Sequence, residues 1–307
     1  MSAGTAGSEV IVEHRVTGAR VGVLGATSLV GECLLPRLSQ AGWRVVAFSR
    51  QPRDAAAGVK WCRLPAQAGN EAISAWVCVA PIWVLPDYFP LLEASGARRV
   101  VALSSTSRFT KLDSNDVAEV EIASCLIEGE QRFTEWAEHK GVQWLLLRPT
   151  LIYGLGRDRN IAEMARFIRR FHFFPVLGKA QGLRQPIHAD DVAQLCVAAL
   201  GKAQVSHRAF DICGGETLTY RAMVERVFAA LGRSPRVVTV PLWAFRAAVA
   251  LLRILPRYRH WSVAMAERMN CDLVFDSSDA RRELGVVTRP FQPSREDASG
   301  LTQEVAS

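Results

Sequence analysis

Apolar runs alternate with helix-like segments from Arg20 onward, and this alternation narrows the possible folds more than any other feature. The strand-like runs are continuously apolar, whereas the segments between them repeat apolar residues every three to four positions. Continuously apolar strands are typical of a parallel sheet covered by helices on both faces. The predicted strands are 21–24, 43–48, 59–64, 75–80, 99–103, 143–147 and 209–212. The predicted helices are 29–41, 85–94, 119–139, 161–171 and 186–200. The sequence therefore predicts an α/β fold.

A glycine-rich turn joins the first strand to the first helix in the segment RVGVLGATSLVGECLLPRL. Gly25 permits a tight turn, and Gly31 lets the helix pack close to the strand. The first amides of the helix point toward a pyrophosphate, whose charge the helix dipole favours. Ser28 replaces the usual middle glycine with a small side chain that could donate a hydrogen bond. The alternative is a turn without a ligand. The residues predicted to bind here are Gly25, Thr27, Ser28, Leu29, Val30 and Gly31.

The end of the second strand indicates which dinucleotide would bind. A carboxylate at this place would hold the ribose hydroxyls of NAD. Here the strand ends in Ser49 and Arg50, and the next acidic residue is Asp54. Arg50 is placed to hold a 2′-phosphate through two hydrogen bonds, with Ser49 as a second donor. The sequence therefore favours NADPH over NADH, although Arg50 could also be a solvated surface residue.

Composition and charge limit the class of protein. The net charge of +7 suits an anionic ligand, an acidic membrane surface or nucleic acid, and no nucleic-acid motif accompanies it. The seven cysteines are odd in number and form no Cys-x-x-Cys pair, which predicts buried free thiols in a reducing compartment, the cytoplasm. The six histidines are dispersed, so no metal site is expected. No apolar run approaches the ~20 residues that span a bilayer.

Several motifs together resemble the short-chain dehydrogenase/reductase superfamily, in its extended branch of NAD-dependent epimerases, dehydratases and reductases. The motifs are GATSLVG from Gly25, VALSSTS from Val101, LRPTLIYG from Leu147 and QPIHADDVA from Gln185, with FDICGGETLTYRAM and DLVFDSSDARRELG further on. The resemblance implies a Rossmann domain, a doubly wound parallel sheet, with a smaller, mainly helical C-terminal substrate domain. It also implies a nucleotide sugar as substrate and a tendency to form homodimers.

The resemblance assigns roles to residues at the ends of later strands. Thr106 matches the substrate-activating Ser/Thr of the family, and Ser105 beside it would contact substrate. The segment from Pro149 to Tyr153 would line the nicotinamide face. His188, Asp190 and Asp191 look like a helix start whose role is capping and support of the sheet. The remaining residues implied to bind the cofactor are Ala80, Pro81, Ser104, Pro149 and Ile152.

One departure from the family concerns its catalytic pair. Family enzymes carry a Tyr and, four residues later, a Lys on the long helix after the fifth strand, and this pair moves a proton during hydride transfer. The stretch 112–139 contains neither residue type. The two positions would fall near Ile122 and Leu126, which cannot exchange protons.

Three explanations of this departure stay open. The chain could keep a cofactor only for stability or redox sensing, it could use substitute groups, or its reaction could need no protein acid. The candidate catalytic substitutes are Thr106, Lys111 and Tyr153. Glu128 and Glu130 are further candidates, but they are two residues apart on a helix and cannot both face one site.

The second half of the chain carries the predicted substrate region. Arginines and lysines are concentrated in 157–184 and would suit a diphosphate or, alternatively, form a solvated basic face. Arg157 and Arg184 are the predicted substrate residues. The apolar segment 241–260 is either a packed helix or a contact with a membrane surface. The predicted division is tails at 1–17 and 293–307, a Rossmann unit of 18–155 and 186–213, and a substrate unit of 156–185 and 214–292.

Two functions follow from these features. The first is an NADP(H)-dependent epimerase- or reductase-like enzyme acting on a nucleotide sugar or a related anionic substrate. The second is a non-catalytic NADPH-binding module that stabilises or regulates a protein partner. The missing Tyr/Lys pair favours the second, and the full substrate domain favours the first.

Overall fold

A computed structural model of the chain describes residues 18–54, 58–65, 72–114, 116–241, 243–244 and 268–299. Seven parallel strands form its main sheet, which confirms the predicted Rossmann-type α/β fold. These strands are β1 (Arg20–Leu24), β2 (Arg44–Ser49), β3 (Val59–Arg63), β4 (Ala75–Cys78), β5 (Arg99–Leu103), β6 (Gln143–Pro149) and, last in the chain, Arg208–Ile212. Each differs from its predicted bounds by no more than about two residues.

The strand order places a crevice beside the first strand. In space the order runs from Arg208–Ile212 through β6, β5, β4, β1 and β2 to β3. β1 therefore pairs with both β2 and β4, and the chain crosses over in opposite directions on the two sides of β1. In open parallel sheets, ligands bind at the carboxyl ends of the strands where this reversal occurs.

Helices cover both faces of the sheet. One face packs on α1 (Leu29–Gln40) and on the later helix Ala189–Gly201. The other packs on a 3-10 helix (Ile82–Tyr88), α2 (Phe89–Ala94) and the long helix α4 (Val117–His139), which follows the short α3 (Ser107–Thr110). The predicted helix 85–94 is thus two pieces, because Pro86 and Pro90 each lack the N–H that a continuous helix requires.

A second hydrophobic cluster forms the smaller unit. It contains α5 (Ile161–Phe171), the helix Tyr220–Ala230, and the parallel pair of strands Phe174–Leu177 and Val237–Val240. Four two-residue strands lie beside this cluster and form two small pairs. These are Ile152–Tyr153, Leu183–Arg184, Ile187–His188 and Leu218–Thr219, with a 3-10 turn at Arg268–Asn270.

The structure differs from the predicted division at the C-terminal end. The helix Ser278–Leu284 packs Ala280 and Leu284 into the sheet's own core, so it belongs with the Rossmann unit and not with the substrate unit. Ala298 is buried in the smaller unit, and Asp297 accepts a hydrogen bond from the Leu155 amide at 3.0 Å. The predicted tail from residue 293 therefore includes a packed turn up to Ser299.

Most of the predicted membrane-contact segment 241–260 lies outside the described residues. Among the helices that are described, none has the length and apolarity to cross a membrane. The described cysteines are all free thiols, but Cys125 and Cys271 are exposed, so the prediction of burial is wrong for these two.

The hydrophobic core between the sheet and α2 is expected to contribute strongly to the free energy of unfolding. Leu92 is fully buried there, whereas Leu112 is exposed in the loop before α4. Leu92→Ala is expected to lower the free energy of unfolding by about 2–5 kcal/mol, because it leaves a cavity in a close-packed core. Leu112→Ala is expected to change it by less than about 1 kcal/mol. Urea unfolding followed by circular dichroism measures both, and equal losses would contradict this account of the core.

Candidate functional site

Gly25 in the turn after β1 and Gly31 in the first turn of α1 have no room for a side chain. Gly25 has φ +79°, and a Cβ built on it would lie 2.4 Å from the backbone nitrogen of Ala80. A Cβ on Gly31 would lie 2.5 Å from the carbonyl oxygens of Gly25 and Ala26. The two glycines therefore let the end of β1, the residues after β4 and the first turn of α1 approach closely. Such an approach is what a backbone cradle for a pyrophosphate requires.

Ser28 caps α1 in place of the usual middle glycine. Its Oγ accepts a hydrogen bond from the Gly31 amide at 3.1 Å, and its carbonyl accepts one from the Glu32 amide. The amides of Leu29 and Val30 come before the first intrahelical bond, so the helix itself offers them no acceptor. Thr27 lies half-buried in the same turn. Two amide donors and the positive end of the helix dipole are thus directed at one place.

The end of β2 lies beside this turn, since β1 and β2 are paired in parallel. Ser49 is buried, and its Oγ accepts a hydrogen bond from the Gln51 amide at 3.2 Å. Arg50 is exposed at the carboxyl end of the strand. The structure thus brings Ser49 and Arg50 to the edge of the crevice where the adenosine ribose of a dinucleotide would lie.

The ends of β5 and β6 are joined by hydrogen bonds. Ser104 donates its amide to the Leu147 carbonyl at 2.8 Å, and Thr106 donates both its amide and its Oγ1 to the Pro149 carbonyl. Thr106 is buried, while Ser105 is half-buried and accepts from the Ser107 amide. Ile152 continues from this edge into the short strand paired with Ile187. Ala80 and Pro81 follow β4 directly. These predicted residues therefore lie along one edge of the sheet.

A buried carboxylate under this edge orders the loop after β5. Glu130 on α4 accepts a hydrogen bond from Ser104 Oγ at 2.5 Å and from Arg148 Nη2 at 2.6 Å, and it is ion-paired with Arg108. Glu128 instead points into solvent and lies 3.9 Å from Arg132. Both oxygens of Glu130 are therefore bound by structural partners, and the exposed Glu128 is directed away from the crevice.

The positions of the missing catalytic pair carry apolar side chains in the structure as well. Ile122 is 39% exposed on α4, and Leu126 is 4% exposed in the core. Glu119, one turn before Ile122, is ion-paired with Arg268 and accepts from Ser114 Oγ at 2.7 Å. Burial acts to raise the pKa of Glu119, but its hydrogen bonds from Arg268 and Ser114 outweigh burial and lower it.

Lys111 lies beside that carboxylate, with its Nζ 3.9 Å from Oε1 of Glu119. Burial lowers the pKa of Lys111 from its ordinary value, because removal from water disfavours the charged amine. Sequence reasoning identified Lys111 but missed Glu119 and Arg268. Glu119 looks like an ordinary acidic residue in the first turn of a helix, and Arg268 is distant in the chain.

Tyr153, the other predicted catalytic group, is packed inside the smaller unit. Its ring makes edge contacts with His188 and Phe291, with centroids 5.1 and 4.9 Å away. Burial, assisted by the charges of Asp297 and Asp191, raises the pKa of Tyr153 to about 12. A buried phenol with a raised pKa is a poor proton donor at neutral pH. These contacts favour a packing role for Tyr153, and its catalytic role stays a prediction.

The predicted substrate arginines do not converge on one point. Arg157 is ion-paired with Glu32 on α1. Arg184 is buried and donates to the carbonyls of Leu183, Cys271 and Arg268. Arg166 pairs with Glu163, and Arg169 donates to the Ala298 carbonyl. The basic segment is therefore not a single diphosphate site in this structure, and the substrate roles of Arg157 and Arg184 stay predictions.

Comparisons with known proteins agree with this geometry. The model of the NAD dependent epimerase/dehydratase family matches residues 90–213. The solved structure of MoeE5 in complex with UDP-glucose and NAD is similar, with a TM-score of 0.64, 20% sequence identity, and coverage of 92% of this chain and 97% of that chain. The predicted resemblance to the NAD-dependent epimerase/dehydratase family is confirmed. At such identity the likeness between the two structures concerns the fold.

The curated relatives that match this chain are distant. An uncharacterised protein y4nG of Sinorhizobium fredii is 26% identical over 206 residues, which cover 64% of this chain and 50% of that protein. A UDP-glucose 4-epimerase of Vibrio cholerae is 21% identical over 136 residues, 44% of this chain and 42% of that protein. Subunit 9 of the NADH dehydrogenase [ubiquinone] 1 alpha subcomplex of Arabidopsis thaliana is 26% identical over 106 residues, 34% of this chain and 26% of that protein. The chain spans half or less of the length of these relatives.

The late helix starts at a capping residue, as its sequence predicts, and the cap lies within a charged network. His188 caps the helix Ala189–Gly201 by accepting from the Asp190 amide at 3.1 Å. Asp190 accepts hydrogen bonds from Arg37 Nε at 2.5 Å and from Arg289 Nη2 at 2.6 Å. Asp191 accepts from Arg289 as well. Arg37 lies on α1, so the network joins α1 to the late helix Ala189–Gly201.

Acid is expected to weaken this network over a defined pH range. The hydrogen bond from Arg37, assisted by that from Arg289, lowers the pKa of Asp190 from 3.8 to about 2. A lowered folded pKa stabilises the fold above pH 3.8, and that contribution is lost as the pH falls from 3.8 toward 2. Asp190→Asn should therefore destabilise the protein at pH 7 and by a smaller amount near pH 3. Urea unfolding at both pH values measures this, with Asp87→Asn at an exposed position as control. A loss for Asp190→Asn that does not change with pH would contradict the assignment.

Proposed function

We propose that this chain binds NADP(H) along the carboxyl edge of its parallel sheet. The observation that carries the proposal is the cradle at Gly25, where only glycine fits against Ala80 and where α1 begins with two amides that have no intrahelical acceptor. Gly25, Thr27, Ser28, Leu29, Val30 and Gly31 would hold the pyrophosphate. Ser49 and Arg50 would hold the 2′-phosphate of the ribose. The residues present therefore fit the cofactor that the family implies.

The residues along β4, β5 and β6 would surround the reacting end of the cofactor. A bound nicotinamide supplies hydride transfer. Ala80 and Pro81 would border its ribose, and Pro149 and Ile152 would pack on its ring. Ser104 would lie beneath the nicotinamide, because its hydroxyl is fixed by a hydrogen bond to Glu130.

The substrate proposed first is a nucleotide sugar or a related anionic molecule, bound between the Rossmann unit and the smaller unit. The net charge of +7 suits such a ligand, and the names of similar proteins include UDP-glucose and a UDP-glucose 4-epimerase. Thr106 is the residue proposed to orient its reacting hydroxyl, with Ser105 beside it. The chain would then act as an epimerase- or reductase-like enzyme, alone or as a homodimer.

A second function rests on a specific observation, the apolar side chains of Ile122 and Leu126 on α4. Without a proton-transferring pair the chain could hold NADPH as a structural or redox-sensing group within a protein complex. The distant similarity to a subunit of an NADH dehydrogenase assembly is in keeping with this function.

The proposed cofactor preference depends on one exposed arginine. Arg50→Ala is expected to weaken NADPH binding about tenfold or more, since hydrogen bonds to a charged group contribute roughly 1.5–3 kcal/mol. NADH lacks the 2′-phosphate, so its affinity should not change. Calorimetric titration measures both dissociation constants. Arg53→Ala, at another exposed arginine of the same segment, is the matched control. Equal losses for NADPH and NADH would remove Arg50 from the cofactor site.

Turnover separates the two functions. If the chain is an enzyme, UDP-sugars should change in the presence of NADPH or NADP, as detected by chromatography of the products. Thr106→Val should then lower kcat at least about tenfold and leave NADPH affinity unchanged, because it removes a hydroxyl and keeps the shape of the side chain. Tight NADPH binding without any turnover by the natural chain would favour the non-catalytic function.

A further inference from the structure

A buried carboxylate lies close to the position of the missing tyrosine. Glu119 and Ile122 are three residues apart on α4, so their side chains share one face of the helix. Ile122 is partly exposed, but Glu119 is buried against the loop that follows α3. A buried carboxylate is costly unless charged or hydrogen-bonding partners surround it. The partners of Glu119 therefore indicate which kind of ligand could bind at this position.

Those partners form a positively charged set around one negative charge. The Arg268 guanidinium donates to both carboxylate oxygens of Glu119. Ser114 Oγ donates to Oε2 at 2.7 Å, and Lys111 Nζ lies 3.9 Å from Oε1. Two cations and a hydroxyl donor thus face a single carboxylate. Lys111, Arg268 and Glu119 carry one net positive charge between them, and the carboxylate of Asp116 also acts on Lys111 through its charge.

The set also spans the two units of the chain. Three of its residues follow β5 in the Rossmann unit, namely Lys111, Ser114 and Glu119. Arg268 lies in the 3-10 turn Arg268–Asn270, beside Leu183–Arg184 in the smaller unit. The Arg268 carbonyl accepts from Arg184, and the Leu183 amide donates to Asp272 Oδ1 at 2.8 Å. Glu119 therefore holds this edge of the smaller unit against α4.

We propose that Lys111, Ser114 and Arg268 form an anion-binding site in the cleft, and that Glu119 fills this site until a ligand phosphate replaces it. The inference rests on the proposed function, because the ligand is the phosphate group of the anionic substrate. A phosphate offers acceptor oxygens to the same charge-assisted donors. A phosphate with two negative charges also matches the two cations Lys111 and Arg268 better than the single charge of Glu119 does. Binding of an anion then frees Glu119 and loosens the tie between the units, so Glu119 sets the affinity for the substrate.

The test removes the negative charge of Glu119 and keeps the shape of its side chain. Glu119→Gln is expected to bind UDP and inorganic pyrophosphate at least about tenfold more tightly than the natural chain, measured by calorimetry with NADPH present. Glu128→Gln on the solvent-exposed face of the same helix is the matched control, and it should leave both affinities unchanged. In ligand-free protein, the amides of Leu183 and Leu273 should exchange with deuterium faster in Glu119→Gln than in the control.

Two further variants make the result specific. Adding Arg268→Gln to Glu119→Gln should reverse the gain in affinity, because it removes the cation that binds the phosphate. Glu119→Asp keeps the charge but shortens the side chain by one methylene, so it should give a smaller gain of about threefold. It also serves as the test if Glu119→Gln does not fold.

Two outcomes would overturn the proposal, and they differ in what else they affect. Equal affinities of the natural chain, Glu119→Gln and Glu119→Asp for UDP would show that Glu119 does not compete with the ligand. That result would leave the proposal of an anionic substrate unaffected. No binding of UDP or pyrophosphate to any variant that still binds NADPH would reject the anion site and the anionic substrate together. The NADPH proposal would not be affected by that result.

Discussion

The close contact between Gly25 and Ala80 is the constraint on which the proposed cofactor site depends. β1 lies between β2 and β4, and its carboxyl end must turn into α1 directly beside the backbone that leaves β4. Because a Cβ at Gly25 would overlap Ala80, the turn can pass there only as glycine with positive φ. The same turn sets the direction of α1 and therefore of its first amides. Ser28 then caps the helix by accepting a hydrogen bond from the Gly31 amide.

Charged side chains around the crevice already have protein partners. Arg157 pairs with Glu32, Arg184 with three carbonyls and Arg268 with Glu119. A buried cation without a partner would cost several kcal/mol, so each is neutralised or hydrogen-bonded within the chain. The proposed anionic substrate would therefore exchange partners with the protein. Such an exchange would couple ligand binding to the contact between the two units.

The sequence alone predicted the parallel sheet well, because buried strands are continuously apolar and their helices have a clear period. It also predicted the Gly25 turn and the cap at His188, since both depend on residues that are neighbours in the chain. It could not predict that the helix Ser278–Leu284 packs on the sheet, or that Asp297 reaches the Leu155 amide. The contact of Asp297 joins residues more than a hundred positions apart in the chain. The packing of the helix depends on which of its faces is turned toward the sheet.

The candidate site was predicted unevenly for the same reason. Thr106 was predicted from the family resemblance and Lys111 from its place after a strand end, but the partner of Lys111 was not predicted. Glu119 and Arg268 are 149 positions apart in the chain, and no local pattern joins them. The buried position of Tyr153 was also hidden, since its neighbours His188 and Phe291 come from distant segments.

The central claim is that the Gly25 turn holds a nicotinamide dinucleotide, and calorimetric titration of the natural chain with NADPH and NADH tests it most directly. The account predicts one NADPH per chain, bound at least about tenfold more tightly than NADH. Folded protein that is free of co-purified cofactor and binds neither dinucleotide would contradict it. In that case the turn would be a purely structural junction between β1 and α1.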